Sequence, residues 1–339
     1  MKTFLQRIKF EKWKAWIYLT PALILLLVFT IWPILNTVRM AFTVYWDEEA
    51  VVYDDDLNFL GYGAYKGYTV AEEIGGDADF EFGFQNFKTV ITYSGFGTIV
   101  KNTMILCIFT VPISTFLALL IAVCLNAIKP LQRFLQTIFF LPYVTNSIAI
   151  GMVFAAMFNI VGLDSGTPSY GIINEILMLF GFDPINWINQ GSSPIANYAV
   201  MIIYIVWNAL PFKILILLGG LQSVNKQYYD AAKIDSTPKW RVFTKITVPL
   251  LSPMIAYVLI TGFIGGFKEY TSIVGIFGED MQPAGAEVGT PRLQTMVGYI
   301  YDQLGNGEGV ASAAAILLFF LIFAVTLVNL SISKKNTHY

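Results

Sequence analysis

Histidine and cysteine are almost missing from this chain. Its one histidine, His338, is the penultimate residue, and its two cysteines, Cys107 and Cys124, stand in one apolar run. On a single helix they would be about 25 Å apart, so they cannot pair within one molecule. No cluster of Cys, His and carboxylate has the spacing of a metal site. Charge is scarce as well: 13% of the 339 residues are charged, against about 25% in soluble domains. There is no Gly-rich loop closed by a lysine that could cradle phosphate. The residues therefore argue against a disulfide scaffold, a metalloenzyme, a soluble domain and an ATPase. No catalytic cluster, cofactor site or nucleic-acid-binding patch stands out.

What the chain has is apolar length. Hydrophobic residues make up 56% of it. Charge-free runs exceed the roughly 20 residues that span a bilayer as a helix. They predict an all-α polytopic membrane protein with six spans near 16–38, 101–126, 135–159, 196–221, 252–275 and 310–332. The first run is longer than a signal-peptide core and lacks a cleavage pattern, so a retained anchor is expected. The chain reads as one membrane domain, 1–339, without internal repeats. Its parts are an N-terminal segment 1–15, an acidic, aromatic loop 45–100 and a polar loop 223–252.

Lysine and arginine set the expected orientation. Of the 21, fourteen fall on the side of the termini and the 223–252 loop. Five (Arg39, Lys66, Lys88, Lys101, Arg292) fall on the other side, and two lie within spans. Both termini and the 223–252 loop are thus expected in the cytosol.

That loop is not a plain tether. Tyr228, Tyr229, Asp230, Ala231, Ala232, Ile234 and Asp235 fit a short amphipathic helix. Ser236-Thr237-Pro238 should end it and start a second, with Thr237 as N-cap and Pro238 at the first helical position. Trp240, Phe243 and Ile246 would share a face, and Val248-Pro249 would stop the helix. Such a knob could dock on a partner or lie on lipid.

The loop resembles the coupling motif of permease subunits of binding-protein-dependent ABC importers. Asp230-Ala231-Ala232 takes the place of Glu-Ala-Ala, Ser236-Thr237 that of Gly-Ala, and Ile246-Thr247-Val248-Pro249 ends the motif. The resemblance extends over most of the chain, through Trp32-Pro33, Gly83–Phe87, Phe139–Val144 and Gly171–Asn174. It is closest to the larger permease of maltose-type carbohydrate importers. It implies a type I importer permease fold, a second homologous permease, two cytosolic ATPase subunits, an external solute-binding protein and a carbohydrate substrate. Asp230, Ala231, Ala232, Asp235, Ser236 and Pro249 would form the coupling site.

Ionisable residues inside spans cost about 2.5–3.5 kcal/mol each. Lys213 follows Trp207-Asn208-Ala209-Leu210-Pro211-Phe212, and Lys268-Glu269 follows Gly262–Phe267. Aromatics, amides and charges suit sugar rings and hydroxyls, whereas a structural ion pair, or Lys213 snorkelling to an interface, would explain the same charges. The charges make Lys213, Lys268 and Glu269 candidates for a substrate path, and the resemblance adds Trp207, Asn208, Phe212, Gly262, Gly265 and Gly266 to it and includes Glu269 again. Two lysines would favour an anionic sugar unless Glu269 neutralises one. The rival reading is an ion-coupled secondary transporter using Glu269, but the inverted repeat expected of many such proteins is not visible.

Overall fold

The computed structural model describes residues 16–43, 50–53, 59–63, 82–128, 132–162, 168–283, 293–305 and 307–336. The N-terminal segment 1–15, much of the acidic loop and His338 lie outside them. Among the described residues, helices carry nearly all the structure: α1 (Trp16–Phe42), α2 (Gln85–Thr92), α3 (Phe96–Ala127), α4 (Gln132–Val144), α5 (Ser147–Phe158), α6 (Ile172–Leu179), α7 (Pro194–Ser223), α8 (Lys226–Ile234), α9 (Lys239–Leu250), α10 (Ser252–Gly266), α11 (Thr271–Phe277), α12 (Met296–Gln303) and α13 (Glu308–Asn336). Two small antiparallel pairs join β1 (Ala50–Tyr53) to β2 (Phe59–Gly63) and β3 (Ile160–Val161) to β4 (Ser169–Tyr170).

Among the described residues four helices are long and apolar enough to cross a membrane: α1, α3, α7 and α13. Helices α9 and α10, bent by 67° at their junction, would together make a fifth. The remaining expected spans are assembled from shorter helices. Asn146 interrupts the third: its Oδ1 accepts from the amides of Ile148 at 2.9 Å and Ala149 at 3.4 Å, starting α5 anew. This is an N-cap, which an apolar count cannot see. The fifth breaks after Gly266 and resumes as α11. At the second span, helix begins at Phe96, inside the stretch expected as loop.

Contacts divide the chain into two compact units. The first holds residues 1–93 and 300–317. In it the end of α1 is tied to α2 by Asn86, whose Nδ2 donates to the carbonyls of Ala41 (3.2 Å) and Thr43 (2.9 Å). Phe42 packs on Phe84 and Phe87 beside this bond.

The second unit holds residues 94–299 and 318–339. Its centre is α3 against α7. Ala118, Ala122, Val200, Met201, Tyr204 and Leu217 are completely buried there. Small residues let backbones approach where lipid offers no hydrophobic drive between helices. Helices α5 and α11 show the limit of this. A Cβ on Gly275 would lie 2.9 Å from both the Gly151 Cα and the Ile148 carbonyl oxygen.

Two π-turns share one cause. Leu27–Ile31 immediately precedes Trp32-Pro33, and Phe243–Thr247 immediately precedes Val248-Pro249. A proline inside an α-helix clashes with the carbonyl four residues back. Widening the preceding turn relieves that clash: Trp32 N–H reaches the Leu27 carbonyl, and Val248 N–H reaches that of Phe243. Pro249 therefore does not stop the helix, as its sequence suggests. It is carried within α9, and the direction changes after Leu250.

Gly275→Ala should lower the thermal midpoint of the purified protein, because overpacking costs about 1–3 kcal/mol. An unchanged midpoint would contradict the close crossing of α5 and α11.

Candidate functional site

Two constellations stand out, an exposed loop and a cavity, and α7 and α10 run between them.

The loop begins one residue after α7. Asn225 caps α8, its Oδ1 accepting from Gln227 N–H at 3.0 Å. The helix ends in a Schellman turn: Ser236 N–H donates to the Lys233 carbonyl at 3.1 Å, and Thr237 N–H to that of Ala232 at 2.9 Å. This turn needs a left-handed residue, usually glycine. Ser236 occupies it with φ of +50°. The expected N-cap at Thr237 is not formed: Pro238 takes the cap position and α9 starts at Lys239. Thr237 N–H is already engaged in closing α8.

Of the six predicted loop residues, Asp230, Ala231, Asp235 and Ser236 are exposed, Ala232 is buried and Pro249 is half-buried. Asp230 accepts from Lys233 Nζ at 3.1 Å, with both side chains mostly exposed, a pair worth little to stability. Ile234 and Trp240 are 84% and 73% exposed. These two large apolar side chains flank the turn without cover.

The cavity has a volume of about 310 Å³, within the usual range for small-molecule sites. Helix α3 contributes Thr110, Val111 and Ser114, and α4 contributes Tyr143. Helix α7 gives Ile205, Asn208, Ala209, Phe212 and Lys213, and α10 gives Val258, Thr261, Gly262, Gly265 and Gly266. Glu269 lies in the break before α11. Seven of the nine predicted path residues therefore meet at one cavity.

Trp207 and Lys268 are not among its lining. Trp207 points into the core, its ring 5.2 Å from Phe154 and 6.4 Å from Tyr204. Lys268 is exposed.

Lys213 is 4% exposed. Its ammonium donates to the Ser114 hydroxyl at 2.6 Å, the Thr115 hydroxyl at 3.0 Å and the Val111 carbonyl at 3.2 Å. The two hydroxyls donate in turn to helix carbonyls, Ser114 to Thr110 and Thr115 to Val111. Lys213 thus fastens α7 to α3 through neutral groups, and it makes no ion pair with Glu269. Glu269 is held separately: its Oε1 accepts from Ser272 N–H at 3.3 Å, at the start of α11. Its carbonyl accepts from Thr295 Oγ1 at 2.8 Å.

The three glycines divide by role. A Cβ on Gly262 would lie 3.0 Å from Val111 Cγ1 and 3.2 Å from Lys213 Nζ, and one on Gly266 would lie 3.0 Å from Cys107 Sγ. Both serve close helix approach. Gly265 has nothing within 4 Å and borders open space.

Tyr143 and Phe212 stack with centroids 6.0 Å apart at 18°. The Asn208 side chain makes no hydrogen bond among the described residues, leaving its amide to the cavity. Thr110, Ser114, Tyr143 and Thr261 were not singled out from the sequence. The Ser114-Thr115 pair, two residues past Pro112 in a charge-free span, was the available signal for Lys213's partners. Among the described residues no group of His, Cys, Asp and Glu could hold a metal ion.

Residues 110–337 match the model of the binding-protein-dependent transport system inner membrane component family. The chain belongs to that family. It is 26% identical over 326 residues to the arabinooligosaccharides transport system permease protein AraP of Bacillus subtilis, covering 95% of this chain and 89% of that protein. It is 29% identical to the trehalose/maltose transport system permease protein MalF of Thermococcus litoralis, with 74% and 79% covered. Among solved structures it is similar to a chain of a bacterial alginate ABC transporter in complex with an alginate-pentasaccharide-bound periplasmic protein. There the TM-score is 0.73 at 21% identity, with 98% of this chain and 99% of that chain covered. The protein is accordingly a multi-pass membrane transport component of the ABC importer permease fold and is not itself an enzyme.

Ser236→Gly should stabilise the turn by roughly 0.5–1 kcal/mol, the left-handed penalty less the extra chain entropy of glycine. Slower amide exchange at Thr237 would report it; faster exchange would refute the strained turn.

Proposed function

We propose that this chain is one of two homologous permease subunits of an ATP-driven carbohydrate importer. It would line part of the translocation path with the α7–α10 cavity and receive force through the 223–252 loop. Two cytosolic ATPase subunits would supply the energy, and an extracytoplasmic binding protein would deliver the sugar. In this reading both termini and the loop face the cytosol of a bacterial or archaeal cell membrane, in keeping with the lysine and arginine bias. The named relatives carry arabinooligosaccharides, trehalose and maltose, which supports a saccharide here.

The observation that carries the reading is mechanical. The loop is hydrogen-bonded at its start, its turn and its exit, and it is joined on both sides to cavity-lining helices. Helix α7 passes into α8 through Ser223–Asn225, and α9 bends into α10 at Leu251. Tyr229 OH lies 3.4 Å from Thr247 Oγ1, bracing α8 against α9. A push on the exposed Ile234–Trp240 face would move a stiff body rather than bend a tether. The cavity would then alternate between two accessibilities as the α7 and α10 walls shift.

The lining suits a sugar. Tyr143 and Phe212 offer ring faces to C–H surfaces, while Asn208, Thr261 and Glu269 offer hydroxyl partners. An ion-coupled transporter using Glu269 would leave the structured loop without a task, and membership in a binding-protein-dependent family speaks against it.

Proteoliposomes holding the assembled complex should accumulate substrate with internal ATP and no ion gradient. Uptake that follows a gradient and ignores ATP would refute the importer. Asp230→Lys should reduce ATP-driven uptake about tenfold or more while the complex still assembles, since reversed charge at a docking surface costs several kcal/mol. Wild-type uptake by that variant would remove the loop from coupling.

A further inference from the structure

The cavity reports on the charge of the substrate, given the carbohydrate-importer reading on which this inference rests. Two lysines near a sugar path suggest an acidic saccharide. The geometry gives them other positions. Lys268 is exposed and does not border the cavity. Lys213 does, but an ammonium has three N–H donors, and all three are occupied by Val111, Ser114 and Thr115 at 3.2, 2.6 and 3.0 Å. At 4% exposure it cannot turn to a substrate carboxylate without breaking bonds that hold α7 to α3. The remaining Asp, Glu, Lys or Arg among the described lining residues is Glu269, an acceptor of the wrong sign for a uronate.

We propose that the transported saccharide carries no carboxylate, and that Glu269 is the residue by which this chain discriminates against uronates. A neutral sugar ring satisfies every polar group on the wall. Its hydroxyls donate to Glu269 and exchange hydrogen bonds with the open amide of Asn208. Its apolar face meets the stacked Tyr143 and Phe212, and the bare backbone at Gly265 leaves it room. A uronate placed there would bring two carboxylates together in a partly dry site whose one described cation, Lys213, has no N–H donor left to offer them. Lys213 is then a positioning residue: it sets the spacing of the walls and does not touch the substrate.

The assay is ATP-dependent uptake into proteoliposomes containing the complete complex and its binding protein. Two labelled probes are supplied in turn, a neutral trisaccharide (maltotriose or an arabinotriose) and trigalacturonate. The wild type should favour the neutral probe by about tenfold or more, the size of effect expected from like-charge exclusion. Glu269→Gln should raise the uronate-to-neutral ratio several-fold, and because the partner subunits are unchanged, that shift belongs to this chain. Preferred uptake of trigalacturonate by the wild type would overturn the proposal while leaving the importer intact. Uronate uptake lost in Lys213→Met would also overturn it, by placing the ammonium on the substrate. A ratio unmoved by Glu269→Gln would overturn the role of Glu269. ATP-dependent uptake of neither probe would count against the carbohydrate reading itself.

Discussion

An interruption of helix at membrane depth has to be settled inside the protein. In hydrocarbon no water is available to satisfy a freed amide or carbonyl, and this constraint shapes the second unit more than any other. At Asn146 a side-chain oxygen receives the first amides of α5. At Ser193 another does so for α7, accepting from Ala196 N–H. Before Pro33 and Pro249 the turn widens so that a bond still closes. Between α10 and α11 the break is settled by Ser272 N–H on the Glu269 carboxylate and by Thr295 on its carbonyl. A charged residue at cavity depth is thus also part of the backbone accounting, and it cannot move without reopening the break.

The cavity follows from the same economy. Gly262 and Gly266 draw α10 against α3, so that Val111 and Cys107 meet backbone rather than side chains. Lys213 draws α7 against the same stretch of α3. Two walls converge on a third, and the space left between them is bounded by Gly265, which packs against nothing. A buried ammonium with only neutral acceptors is expensive compared with an apolar side chain of its size. Its retention here is intelligible if the distance between α3 and α7 has to be held at one value, which directional bonds do and a greasy contact does not.

Much of this was legible in the sequence, and what was not has a physical reason. Long apolar runs announce the helices because twenty residues without charge have few other uses. The same count is blind to an asparagine that ends one helix and begins another, so the expected span 135–159 comes as α4 and α5. Proline was read as a stop at 249 because its usual effect is to remove a hydrogen bond; a π-turn one residue earlier restores the register. Seven of the nine predicted path residues gather at the cavity: helical spacing puts 208 and 212, and 262, 265 and 266, on shared faces, Lys213 adjoins Phe212, and the break after Gly266 brings in Glu269. Trp207 breaks that pattern by one residue, about 100° around the helix, and so turns into the Phe154–Tyr204 cluster. The partners of Lys213 come from another helix about a hundred residues earlier, and no spacing rule on one chain brings them together.

The strained turn at Ser236 links these observations. A left-handed serine is tolerated only where its surroundings determine it, and here they do. Thr237 must reach the Ala232 carbonyl for α8 to end, and Pro238 must be extended for α9 to begin. The chain between them has no other course. A turn specified from both sides keeps the angle between α8 and α9 fixed, and Tyr229 against Thr247 holds it further. Since α8 grows out of α7 and α9 leads into α10, a fixed angle at Ser236 is also a constraint on the two helices that carry Lys213, Gly265 and the approach to Glu269. Rigidity in the exposed loop and rigidity in the cavity wall are therefore one requirement. Glycine at 236 would be easier locally, but stiffness there is set by hydrogen bonds on either side and not by the residue that fills the turn.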